Sequence, residues 1–152
     1  MANPMYGQNK ADSHIGWRQN SSVTAHGTLA GNLTLDASEM VNSIAQTCDP
    51  AAARNITTPT AAQIVAAMKV KASDGKVSQG DTFQFSFVNA GTAGDDESCT
   101  IVAGTGVTLV GGIVIENYAD THDAFSSGSG LFAVQVDNGV SGSEAVSVIR
   151  LA

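Results

Sequence analysis

The clearest pattern along the chain lies at Gly80–Asn89, GDTFQFSFVN. Phe83, Phe85 and Phe87 take every second position, and Thr82, Gln84 and Ser86 lie between them. A period of two predicts a strand with one apolar and one polar face. Three of the five phenylalanines share that apolar face. Phe83, Phe85 and Phe87 are therefore expected in the core, because three adjacent exposed rings would form an adhesive patch. Downstream, Asn89–Ser98 reads as a polar loop. Cys99–Ala103, Val107–Val110 and Ile113–Glu116 read as short strands separated by the GTG and GG turns. THDAFSSGSG at Thr121–Gly130 reads as a second loop. Leu131–Val136 and Ala145–Leu151 read as closing strands, joined by a hairpin turn at Asn138–Gly142.

Upstream of Gly80 the period changes. Gly27–Leu35 alternates small and apolar residues and predicts a strand. Asp36 then stands where a helix cap would, with Glu39 at the third helical position expected to reach back to it. Met40, Val41 and Ile44 form the apolar face of that helix, and Cys48-Asp49-Pro50 is expected to end it, since a residue before proline is pushed out of helical geometry. Ala51–Thr58 predicts another short strand. Thr60 and Gln63 make a second capping box, followed by Ala61, Ile64, Val65 and Met68 on one face; Ser73–Lys76, SDGK, predicts a turn. The total is roughly seven or eight strands and two short helices, a mainly β domain of β-sandwich or jelly-roll-like form.

Residues 1–27 show no such pattern and are expected to be an extended N-terminal arm, leaving 28–152 as the β-rich domain. Tyr6, Ile15 and Trp17 are large isolated side chains in that arm, of the kind that anchors a segment in a partner's pocket.

Composition narrows the function classes. Charged residues make up 14% of the chain, against roughly 25% in an average soluble protein. Sixteen glycines and many Ser, Thr, Asn and Ala fill their place, which fits a protein with large contact surfaces. The net charge of −7, with only seven Lys and Arg, argues against a nucleic-acid partner, and an anionic membrane surface is disfavoured for the same reason. No apolar run has the ~18 residues of a membrane-spanning helix. The first twenty residues lack the apolar core of a secretory signal, so synthesis in a cytoplasm is expected. Cys48 and Cys99 are too few for a disulfide framework and are expected to be free thiols.

Candidate chemistry is sparse. His14, His26 and His122 are the possible bases for a cysteine or serine nucleophile, but no triad spacing frames them, so no catalytic residue is assigned and the chain is expected to be non-enzymatic. The acidic groups Asp95-Asp96-Glu97 and Asp120-His122-Asp123 lack the spacing of a calcium loop, and no metal site is assigned. GTG is not followed by the Lys-Ser/Thr of a phosphate loop; no cofactor is expected, and the glycines are read as serving tight turns.

One resemblance goes beyond composition. TPTAAQIVAAM (Thr58–Met68), GDTFQFSFVNAGTAG (Gly80–Gly94) and VAGTGVTLVG (Val102–Gly111) occur in an order that resembles small virion proteins of tailed phages: capsid decoration (cement) proteins and head-fibre or knob proteins. The likeness spans Leu33 to about Gly112. It departs from the family pattern at Gln79, where valine is usual, and in the longer tail with its THDAFSSGSG insertion. The resemblance implies a decoration protein on the outside of the shell, with the major capsid protein and two further copies of itself as partners, in a homotrimer. On that reading Tyr6, Ile15 and Trp17 are capsid-binding anchors. The alternative it leaves open is a head-fibre or knob adhesin for host glycans, for which Tyr118 and Phe125 around Asp120, His122 and Asp123 would be the binding cluster.

Overall fold

The computed structural model describes residues 20–91, 97–117 and 128–152. Among these the strands are β1 (Asn20–Leu29), β2 (Leu33–Thr34), β3 (Ser43–Pro50), β4 (Arg54–Thr57), β5 (Thr82–Asn89), β6 (Cys99–Val102), β7 (Val107–Val110), β8 (Val114–Ile115), β9 (Ser129–Asn138) and β10 (Ala145–Arg150). The helices are α1 (Ala37–Asn42) and α2 (Ala61–Lys71). The strands form a six-stranded sheet in the order β1-β3-β5-β9-β10-β7 and a four-stranded sheet in the order β2-β4-β6-β8. The fold is mainly β, with two sheets and two helices, as expected.

Consecutive strands alternate between the sheets from β1 to β8, so neighbours within a sheet are often parallel: β1–β3, β3–β5, β2–β4 and β4–β6. Of the two expected forms, the sandwich describes this arrangement, because jelly rolls are built from antiparallel strands. A parallel pair needs a crossover, and here each crossover runs through the other sheet and, twice, through a helix. The result is a repeated strand–strand–helix unit. Leu33 lies beside Ile56, and Ile56 beside Ile101. After Thr34 the chain enters α1, after Thr57 it enters α2, and after Val102 it makes the GTG turn instead.

Both helices are capped at the expected residues, but the bond expected back from Glu39 is not formed in α1. Asp36 accepts hydrogen bonds from the Ser38 and Glu39 amides, and Thr60 and Gln63 make the full reciprocal box. Ala61, Ile64, Val65 and Met68 are buried. They join Phe83, Phe85, Phe87, Phe132, Val134, Val136, Val146 and Val148 from the large sheet, and Ile56, Cys99, Ile101 and Ile115 from the small one, in a single core. Phe83, Phe85 and Phe87 all face inward as expected. Arg150 ties the two sheets at one end, its Nη1 donating to the Val114 carbonyl at 2.6 Å.

Three expectations are corrected. The boundary at residue 27 falls inside β1, which begins at Asn20 and pairs along β3. Its side chains are mostly polar, and polar pairs hold it: Thr24 and Ser43 hydroxyls lie 2.6 Å apart, and His26 Nε2 donates to Gln46 Oε1 at 2.7 Å. Ile44 is not on a helix face. The helix stops at Asn42, Ser43 is extended, and Ile44 is the exposed second residue of β3. Cys48-Asp49-Pro50 therefore closes a strand rather than a helix. The β3 run takes its place between β1 and β5, where ladder hydrogen bonds on both sides outweigh the helical spacing of Met40, Val41 and Ile44.

Candidate functional site

The polar positions of β5 are the starting point. Because Phe83, Phe85 and Phe87 point into the core, Thr82, Gln84, Ser86 and Val88 must point to the opposite side of the sheet. Register carries each of them into a row across neighbouring strands. Ser86 lies between Ala45 and Leu131, and Ala45 lies beside Val23. Val88 lies between Thr47 and Ser129, with Ala25 beyond Thr47. Gln84 is followed by Ala133, Ile149 and Val110. Thr82 is followed by Gln135, Ser147 and Thr108.

None of these positions is buried by the second sheet, and none carries a charged side chain. Exposure of 57% at Val23 and 37% at Leu131 shows how open the first row is. A shallow groove of about 330 Å³ runs along it, lined by Val23, Ile44, Ala45, Gln84, Phe85, Ser86 and Leu131. Charge appears only at the margin, where Asp137 accepts a hydrogen bond from the Ser147 hydroxyl at 2.7 Å and Asp49 accepts from Thr28. A sheet face without charges avoids the cost of burying ions, and its Thr, Gln and Ser side chains dehydrate without penalty only where a partner hydrogen-bonds them. Such a face suits contact with another protein surface. The polar side chains of these rows are hydroxyls and amides.

A second depression of about 510 Å³ lies between the helix starts, lined by Thr34, Leu35, Asp36, Ser38, Gln63 and Ala67 among others. Its single carboxylate is already engaged as the cap of α1. The Asp36 carboxyl sits below the usual aspartate range because it accepts from the Ser38 hydroxyl and the Glu39 and Ser38 amides. The start of α2 is closed by its own chain. The Ala61 amide donates to the Thr105 carbonyl at 2.9 Å, and the Gly104 amide donates to Thr58 Oγ1 at 2.9 Å. The GTG turn thus packs on the TPTAA helix start. A Cβ on Gly104 would lie 2.5 Å from the Thr58 and Pro59 carbonyl oxygens, and Gly106 has a φ of +77° with Ala61 Cβ 2.9 Å from where its own Cβ would stand. Two segments of the resemblance, far apart in sequence, therefore meet at one junction, where Gly106 serves the turn and Gly104 a close approach of backbone.

The other candidate residues divide simply. Phe83, Phe85 and Phe87 are core. Tyr6, Ile15 and Trp17 lie outside the described residues, as do Tyr118, Asp120, His122, Asp123, Phe125, Asp95 and Asp96. Glu97 is half-buried, and its backbone carbonyl accepts from Asn89 Nδ2. Among the described residues no three His, Cys, Asp or Glu side chains converge as a metal site. No described helix is long and apolar enough to cross a membrane. Sequence reasoning missed the uncharged face because its members come from six strands; only the polar half of the β5 alternation pointed to it. Compared with protein-family models, with curated proteins and with solved structures, the chain matches none.

Proposed function

We propose that the chain is a structural protein of a virion: a decoration protein that lies on the outside of the major capsid protein shell as a homotrimer and stabilises the head. The observation that carries this reading is the uncharged outer face of the six-stranded sheet. The motif resemblance supports it, and the junction of the GTG turn with the α2 start gives that motif order a physical reason.

The mechanism is burial across subunit boundaries. Each 100 Å² of apolar surface removed from water contributes about 2.5 kcal/mol gross. Association entropy offsets much of that for a single small contact. Three linked copies engage the shell together, so the second and third contacts form at high effective concentration. Separating capsid subunits then requires breaking every bridging contact. A neutral face suits this role, since a charged one would add desolvation cost at each bond.

The test is reconstitution. Purified chain is added to phage heads stripped of their outer proteins, beside an Ala133→Lys variant. The reading expects saturable binding that raises the temperature at which heads open, and loss of both effects in the variant. Equal binding by the variant, or no binding by either, would reject it.

A further inference from the structure

Cys48 and Cys99 are 51 residues apart, one in β3 of the large sheet and the other opening β6 of the small one. Their side chains meet between the sheets, with the two Sγ atoms 3.5 Å apart. Both are free thiols and both are buried, with 2% and 0% exposure. Two cysteines in a chain with only two are brought sulfur to sulfur in the core.

We propose that Cys48 and Cys99 are a two-electron redox site, oxidised by a peroxide to a disulfide that staples the two sheets together. The inference is independent of the virion reading.

The geometry supplies the parts. The sulfurs must close from 3.5 Å to about 2.05 Å. Side-chain rotation and a small shift of β6, a strand of four residues, can take up that distance. The hydrogen bond between the two sulfurs also divides their roles. It favours the Cys99 thiolate and holds that group below the ordinary thiol range, while Cys48 keeps its proton and is pushed well up. Either sulfur can donate this bond, and the one relieved of its proton is the attacking sulfur; the route through Cys99 is the one the bond favours.

The chemistry balances as follows. Cys99 gives up its proton, and its thiolate attacks one oxygen of hydrogen peroxide; the O–O bond breaks and the leaving hydroxide takes the proton that Cys99 released, becoming water. Cys99 is now a sulfenic acid. Cys48 sulfur attacks Cys99 sulfur, the S–S bond forms and the S–O bond breaks. The second hydroxide leaves as water with the Cys48 proton. Two thiols and one peroxide become one disulfide and two waters. Hydrogen peroxide is close to water in size, so it reaches a buried pair that a bulky disulfide reagent would not.

The folded full-length chain is treated with hydrogen peroxide, then unfolded and alkylated. The expected product is lighter by about 2 Da and takes up no alkylating group, and digestion yields a peptide joined through Cys48 and Cys99. Its melting temperature rises by on the order of 10 °C, as for closure of a long loop, and dithiothreitol reverses the rise. Cys48→Ala carries no link and shows no rise. The proposal is overturned if both thiols of the treated chain still alkylate, if either sulfur gains oxygen without a link, or if Cys48→Ala shows the same rise.

Discussion

Phe85 stacks on Phe132 with ring centroids 5.4 Å apart and planes inclined by 21°. The two are register partners across the antiparallel β5–β9 pair, at the middle of the six-stranded sheet. Both are buried, with 1% and 2% exposure. Offset stacking of this kind adds about 0.5–1.5 kcal/mol to the burial of the rings.

Phe85→Ala is therefore expected to cost about 3–5 kcal/mol. Phe132→Ala should fall in the same range, and the double variant should lose less than the sum, by the stacking energy. Chemical denaturation of the four proteins measures this. A loss under about 1 kcal/mol at Phe85 would contradict its place in the core.

Glycine substitutions separate close approach from mere flexibility. Gly104→Ala drives a methyl into two backbone carbonyls at 2.5 Å, which cannot rotate away. It should cost about 2–3 kcal/mol or more. Gly106→Ala combines a positive φ with the Ala61 contact and should be at least as damaging. Gly31 has neither feature, so Gly31→Ala should be neutral or stabilising by about 0.5 kcal/mol. Equal effects at Gly104 and Gly31 would remove the GTG–helix junction as a structural requirement.

The Asp36 cap predicts a pH signature. Its carboxyl is held below its ordinary range by the bonds it accepts, so its contribution is present above about pH 4 and is lost as pH falls through the lower folded value. Asp36 is exposed, so Asp36→Ala should cost only about 0.5–1 kcal/mol at neutral pH. The gap in melting temperature between wild type and variant should shrink on acidification below pH 4. A gap that stays constant down to pH 2 would show that the charged cap contributes nothing.

The sequence made some of this fold legible and hid the rest for identifiable reasons. β5 and both helix starts were readable because local chemistry decides them: ring alternation in one case, caps at Asp36 and Thr60 in the other. β1 was not, because Thr24 and His26 are held by Ser43 and Gln46 rather than by an apolar stripe. Ile44 misled because three apolar residues at helical spacing fit a helix until the sheet claims the third. The parallel alternation between sheets was hidden as well, since pairing of Leu33, Ile56 and Ile101 is a long-range fact. The candidate face lies in the same category. No local segment contains it, and it exists only once six strands are in register.

Self-association is expected from the proposed role. Sedimentation of the isolated chain at micromolar concentration should give about three times the 15.4 kDa chain mass. A species that stays monomeric both alone and on particles would remove the trimer from the proposal.

The most direct test is the position of the chain in assembled particles. Cryo-electron microscopy of particles purified from the lysate in which the chain is made should place it on the outer shell in groups of three. The face that carries Ala45, Ser86 and Ala133 should be covered by protein. Particles that lack the chain, or that carry it with this face turned to solvent, would contradict the account.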